Sequence, residues 1–297
     1  MSMQRLSDVR ANYARDVTTR AGVSDPRIRA AFAAVPRERF LGPGPWKIAR
    51  PRRDDYDATS ETDDPRLVYI DALIALDAAR GINNGEPSAH ATWIAALDPK
   101  PGERVLHIGA GTGYYTAMLA ELVGGNGRVE AIEIDPTLAV RALECLADRP
   151  NVRVSERSGA VGPLPESDAI YVNAGATAPL AVWLDALAPS GRLLFPLTDG
   201  SSGGGMLLVS RSPSGAWPAR FVSGAAFIDL IGGRADREAD AVLAAFRGGG
   251  AARVRSLWRD DRREAEDWLR GSGWRLSREE PEGQASSPEP LEANRAP

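Results

Sequence analysis

The sequence predicts an α/β fold: a mostly parallel sheet with an antiparallel edge and helices on both faces. Three observations carry this. Short apolar runs at 105–108, 128–134, 152–154, 168–173 and 192–197 alternate with helix-spaced segments at 114–123, 138–148 and 180–187, the pattern of strand–helix–strand units. Three glycines on alternate positions, Gly109, Gly111 and Gly113, follow the first run, and the acid Glu133 stands near the end of the second. Beyond 197, a glycine cluster at 201–205 leads into apolar runs at 206–211 and 221–231, which read as the antiparallel additions.

Taken in order, residues 1–34 read as helical. Ser24-Asp25-Pro26 opens a helix with a polar cap and a first-turn proline, and Ile28, Ala31 and Phe32 supply its apolar face. That helix stops before Val35-Pro36-Arg37-Glu38-Arg39-Phe40, and the Pro-, Gly- and Asp-rich stretch 41–65 reads as a long surface loop. The run 69–79 is apolar, and 81–88 turns the chain through Asn84-Gly85. Ser88 stands where the cap of a helix over 91–97 belongs. It has a second reading, because the first N–H groups of a helix also hold carboxylates. Past Gly232 the chain is charged and alanine-rich, with helices expected over 237–246 and 260–269 and with Trp258, Trp268 and Trp274 as packing anchors. The division expected is an N-terminal helical segment and loop (1–66), a ligand-binding domain (67–232), a helical appendage (233–280) and a disordered tail (281–297), whose Ser, Pro and Glu content suits solvent.

The glycine turn sits at the carboxyl end of its strand, where open α/β sheets take ligands. Glycine accepts positive φ and lets a ligand approach the backbone. An acid ending the next strand suits the two hydroxyls of a ribose. A nucleoside-binding site follows. The dinucleotide fingerprint GxGxxG does not fit: the spacing here is GxGxG, and Tyr114 stands where that fingerprint has its last glycine.

Composition narrows the class. Hydrophobic residues make up 43% of the 297, enough for a substantial core, and Lys+Arg 36 against Asp+Glu 40 leave a net charge of −4. No basic field argues for nucleic acid. The single cysteine, Cys145, builds neither a disulfide nor a cysteine zinc site, and His90 and His107 are the only histidines. No run approaches the roughly 20 apolar residues of a membrane span, and the N-terminus lacks the apolar core of a secretory signal, so a soluble cytoplasmic protein is expected.

His107-Ile108-Gly109-Ala110-Gly111-Thr112-Gly113-Tyr114-Tyr115 resembles the first motif of class I S-adenosylmethionine (AdoMet) methyltransferases, whose fold is Rossmann-like. Taken with Val35 to Phe40, the block around Gly85 to Ser88, Ser190-Gly191-Arg192-Leu193-Leu194-Phe195-Pro196-Leu197 and Phe227-Ile228-Asp229-Leu230-Ile231-Gly232, in that order, the chain resembles the protein-L-isoaspartate O-methyltransferase family. The resemblance spans about residues 25–232 and implies AdoMet as cofactor. The implied acceptor is a carboxylate on a protein or peptide. It also implies cofactor contacts at His107, Gly109, Ala110, Gly111, Gly113, Tyr114, Glu133, Ser158 and Gly159, and an acceptor contact at Ser88. Three departures stand out. The family's Gly-Gln-Thr-Ile-Ser loop is matched to Asn84-Gly85-Glu86-Pro87-Ser88, which puts a carboxylate at Glu86. His107 replaces an acid, and Arg157-Ser158-Gly159 replaces Gly-Asp-Gly. His107 is either a polar residue tucked at the strand end and satisfied by backbone or an acceptor near the methionyl group. His90 faces either substrate or solvent. A fold that binds AdoMet without catalysis, or methylates another acceptor, is the alternative.

Overall fold

A computed structural model of the chain describes residues 5–49, 60–200 and 203–281. Two N-terminal helices, α1 (Leu6–Arg20) and α2 (Pro26–Ala34), come first. Asp25 caps α2 by accepting the Arg27 N–H at 2.8 Å, with Pro26 in the first turn. Strands β1 (Trp46–Ala49), β2 (Ser60–Thr62), β3 (Leu73–Asp77) and β4 (Ile82–Asn83) form a small antiparallel sheet in the order β2-β1-β3-β4. It occupies part of the stretch expected as a plain loop; residues 50–59 of that stretch lie outside the described ones.

The main sheet is built by β5 (Arg104–Ile108), β6 (Arg128–Glu133), β7 (Val152–Glu156), β8 (Ser167–Val172), β9 (Leu187–Thr198), β10 (Gly204–Ser210) and β11 (Ala216–Ala225). Its helices are α3 (Pro87–Leu97), α4 (Tyr114–Val123), α5 (Pro136–Cys145) and the short α6 (Ala181–Asp185). Strands β7, β6, β5, β8 and β9 lie side by side and parallel, and β10 and β11 continue antiparallel. The expected α/β architecture is therefore present.

One face of the sheet packs α3 and α4 together with α1 and α2 in a single core, running from Tyr13, Val17 and Phe32 to Ile94, Met118 and Leu194. Arg37 closes this core from inside. Its guanidinium is wholly buried and donates to the Val68, Ile70 and Ala72 carbonyls at 2.9, 2.6 and 2.8 Å and to Asn84 Oδ1 at 3.2 Å. The Val-Pro-Arg-Glu-Arg-Phe block thus fastens the N-terminal helices to the segment leading into the 81–88 turn.

The 233–280 appendage corrects the reading of it as helical. Helix α7 (Asp236–Arg247) is present, but the second expected helix is not. Instead β12 (Ser256–Trp258), β13 (Asp267–Gly271) and β14 (Trp274–Ser277) extend the main sheet to ten strands, in the order β13-β14-β12-β11-β10-β9-β8-β5-β6-β7. The pairing Gly271↔Trp274, Arg270↔Arg275, Leu269↔Leu276 makes a tight hairpin, with Gly273 at φ +76°. The glycines of Gly271-Ser272-Gly273 turn the chain there, and Trp268, Leu269, Trp274 and Leu276 then bury in the second core, where a helix would have scattered them. Trp268 and Trp274 serve as packing anchors, whereas Trp258 is half-buried outside that core and lies under the Arg275 guanidinium, 4.5 Å from its ring centroid. Residues 282–297, which carry most of the tail expected to be disordered, lie outside the described residues.

Candidate active site

The carboxyl ends of β5 and β8 open into a cleft of ≈ 570 Å³. Its floor is the glycine turn, Gly109 to Thr112; Asn173, just past β8, flanks it. One wall is the turn Gly81 to Glu86 with Ala89, His90 and Trp93 of α3, and the other is the segment Gly224 to Ile228. That second wall is tied to the sheet: Gly175 N–H donates to the Ile228 carbonyl, and Leu230 N–H to the Gly175 carbonyl, both at 2.8 Å. Trp93 Nε1 donates to Ser223 Oγ at 2.8 Å and joins the two walls. A second hollow, between Gly124–Glu130 and Asp148–Arg153, lies at the opposite, amino-terminal ends of the strands, away from where such sheets hold ligands.

The glycines are required by geometry. Gly109 has φ +73°, and a Cβ on it would meet the Asn173 carbonyl oxygen at 3.1 Å. Gly113 has φ +93°, and a Cβ there would meet Leu146 Cδ1 at 2.6 Å. Both positions are strained for any other residue. Glu133 ends β6 and accepts three backbone N–H groups: Gly111 at 2.7 Å, Ile134 at 2.9 Å and Asp135 at 3.0 Å. Burial pushes its pKa up, and those backbone donors oppose the rise. The acid therefore anchors the glycine turn. Arg80 pairs with Asp135 and, at 2.6 Å, with Asp77, holding the end of β3 against the end of β6.

Among the expected cofactor contacts, Gly109, Ala110, Gly111 and Tyr114 line the cleft, and Glu133 is bonded to its floor. Gly113 caps α4 behind that floor. Ser158 and Gly159 follow β7 on the far side of β6; Ser158 Oγ accepts the Ala160 N–H at 3.1 Å, and the Gly159 carbonyl accepts Trp183 Nε1 at 2.8 Å. His107 is wholly buried, with its ring nitrogens 2.8 Å from Thr116 Oγ1 and from Asn173 Nδ2. Side chains satisfy it, not backbone. Burial pushes its pKa down to about 3.

Ser88 is placed differently from its expectation. Glu86 is the cap of α3 and Pro87 its first residue, so Ser88 falls inside the first turn; its N–H donates to Asp71 Oδ1 at 2.8 Å. Proline fixes the helix start one residue before the serine, and Ser88 is not among the residues lining the cleft. His90, two residues on, is: it is 4% exposed, stacked on Tyr115 with ring centroids 3.5 Å apart, and its Nδ1 lies 2.7 Å from Tyr171 Oη. Burial, with lesser contributions from His107 and Arg37, drives its pKa well below the usual value. Tyr115, Asn83, Trp93, Phe227 and Asn173 line the cleft without having been expected as site residues, although Tyr115 and Phe227 lie in blocks that carry the family resemblance. Asn173 had a usable signal, since it ends the strand beside the glycine-bearing one.

The cleft suits a polar ligand with an apolar flank. Two of its lining residues, Tyr115 and Asn173, present buried oxygens without a hydrogen-bond partner. Leu73, Leu76, Trp93 and Phe227 supply the apolar side. No His, Cys, Asp and Glu cluster suited to a metal occurs among the described residues. Nor, among them, is any helix long and apolar enough to cross a membrane.

Comparison with known proteins agrees with this geometry. Residues 14–235 match the family model for protein-L-isoaspartate(D-aspartate) O-methyltransferase. A protein-L-isoaspartate O-methyltransferase of Aeropyrum pernix is 33% identical over 223 residues, 73% of this chain and 76% of that protein. One of Methanopyrus kandleri is 36% identical over 170 residues, 55% of this chain and 74% of that protein. A solved Plasmodium falciparum structure, described as a protein-L-isoaspartate O-methyltransferase in complex with S-adenosyl-L-homocysteine, superposes with a TM-score of 0.59 over 75% of this chain and 98% of that one; at 19% identity it shows the shared fold. These relatives favour an enzyme over a binding-only fold. The chain belongs to the protein-L-isoaspartate(D-aspartate) O-methyltransferase family and is an AdoMet-dependent methyltransferase.

Proposed function

We propose that the chain methylates a side-chain carboxylate, that of an isoaspartyl residue, in a protein or peptide held against the turn Gly81 to Glu86, and that it does so in the cytoplasm. The observation that carries this is a cleft joining the nucleoside floor to a wall whose one imidazole, His90, is buried and held neutral. A carboxylate is ionised at neutral pH and needs no general base; both histidines are buried and neutral there, and neither is suited to be one. AdoMet, when bound, supplies an electrophilic methyl group. Gly109 to Gly111 and Glu133 would hold it, with Ser158 and Gly159 toward the adenine. The protein's part in the reaction is to fix donor and acceptor in line and to exclude water with Leu73, Leu76, Trp93 and Phe227. Asn83 and Asn84 offer amides to the acceptor.

Glu86 lines the same wall. A like charge within about 4–6 Å disfavours an acceptor carboxylate. Glu86→Gln is therefore expected to raise kcat/KM on an isoaspartyl peptide by about 3–10-fold, worth about 0.7–1.4 kcal/mol. Transfer of tritium from labelled AdoMet, read as a base-labile methyl ester, is the measurement. Equal activity of the two forms would remove Glu86 from the acceptor's surroundings. If neither form gives a base-labile ester on any peptide, carboxyl methylation is the wrong chemistry.

A further inference from the structure

The contacts described so far leave Asn173 Oδ1 unexplained. It is out of reach of solvent, has no hydrogen-bond partner, and belongs to a residue that lines the cleft. A buried carbonyl oxygen without a donor is costly, so a cleft residue that keeps one points to a ligand donor. The amide is oriented by the imidazole: its Nδ2 lies 2.8 Å from His107 Nε2, which accepts from it when the ring carries its proton on Nδ1, 2.8 Å from Thr116 Oγ1. The imidazole is itself fixed, wholly buried and stacked against Tyr171 with ring centroids 5.4 Å apart and planes 14° from parallel. Both of its nitrogens are spent, so His107 holds the amide and offers the cofactor no nitrogen of its own.

The strand order says which part of the cofactor the amide meets. Across the sheet the neighbours run β8, β5, β6, β7. With the ribose at Glu133 on β6 and the adenine toward β7, the amino-acid end of AdoMet falls on the β8 side of the glycine turn, where Asn173 stands. The hydrogen-bond donors of AdoMet are its two ribose hydroxyls, its adenine amino group and its α-ammonium. Only the last is directed to that side. We propose that Asn173 Oδ1 accepts a hydrogen bond from the α-ammonium of AdoMet, with His107 as the positioning residue that turns the carboxamide toward it. This rests on AdoMet occupying the cleft as described above.

Calorimetric titration with two ligands tests it: S-adenosylhomocysteine, and 5′-methylthioadenosine, which keeps the adenosine and the sulfur but has no amino-acid end. Asn173→Ala is expected to weaken S-adenosylhomocysteine binding at least tenfold while changing 5′-methylthioadenosine binding less than twofold. Asn173→Asp keeps an acceptor and adds charge, and the His107 contact survives if the ring moves its proton to Nε2 while Nδ1 accepts from Thr116 O–H, so it should bind S-adenosylhomocysteine as tightly as the parent or tighter, and more weakly as salt is raised. Equal losses for both ligands in Asn173→Ala would make Asn173 a structural residue and overturn the proposal. So would unchanged binding of both. If Asn173→Asp loses S-adenosylhomocysteine as severely as Asn173→Ala, the amide presents its N–H to the α-carboxylate and the assignment is reversed. A parent protein that binds neither ligand overturns instead the cofactor reading beneath it.

Discussion

Arg37→Met is expected to lower the unfolding free energy by about 3–5 kcal/mol, the upper range for a single substitution. The guanidinium satisfies the buried Val68 and Ala72 carbonyls, the part-buried Ile70 carbonyl and Asn84 Oδ1 at once, and its carbon lies 5.8 and 5.9 Å from the Tyr13 and Tyr114 ring centroids. Methionine fills much of the volume but takes the Arg37 donor from the Val68 and Ala72 carbonyls and from Asn84 Oδ1, at about 1–3 kcal/mol each before relaxation. Urea unfolding of both proteins gives the difference. Because Asn84 lines the cleft, the folded fraction of the variant should also bind substrate more weakly. A loss below about 1 kcal/mol would mean that the N-terminal helices are held by their apolar contacts alone.

The second large effect is a loss of stability in mild acid. His107 has its pKa pushed down to about 3 by burial, and His90 is driven down from the same cause. The unfolded chain takes up protons on both near pH 6.5 and the folded chain does not. The sign follows: their contribution is complete above pH 6.5 and is lost as pH falls toward the folded-state values. For His107 the slope is about 1.4 kcal/mol per pH unit. Glu133, whose pKa is raised by its own burial, works in the opposite direction and moderates the loss. Between pH 7 and 5 the melting temperature should fall, and His107→Gln, which keeps donor and acceptor but does not titrate, should fall less steeply. Parallel curves would mean that His107 is charged in the folded protein.

Much of the fold was legible because its signals are local. Apolar runs, the glycine turn and the acid at Glu133 each follow from backbone geometry, and β5, α4 and β6 form where the sequence places them. The C-terminal hairpin was misread because its signal is a turn, not a period. Between 260 and 269 the charges mimic a helix, whereas Gly271-Ser272-Gly273 between buried tryptophans decides the outcome through pairing that sequence spacing does not display. The same limit applies to the site. Gly109, Gly111 and Glu133 announce themselves by residue type. Asn173, His90 and Tyr115 come together from three separate elements, and only tertiary packing makes them neighbours. Ser88 misled because serine is a common cap; Pro87 set the helix start first and left the serine inside it.

Calorimetric titration of S-adenosylhomocysteine into the parent and into Glu133→Gln tests the central claim most directly. The carboxylate of Glu133 offers charge-assisted hydrogen bonds to a ribose worth about 1.5–3 kcal/mol, so the account predicts one site per chain in the parent and a dissociation constant about 10–150-fold higher in the variant. Unchanged affinity in Glu133→Gln would place the nucleoside somewhere other than the carboxyl ends of β5 and β6 and contradict the account.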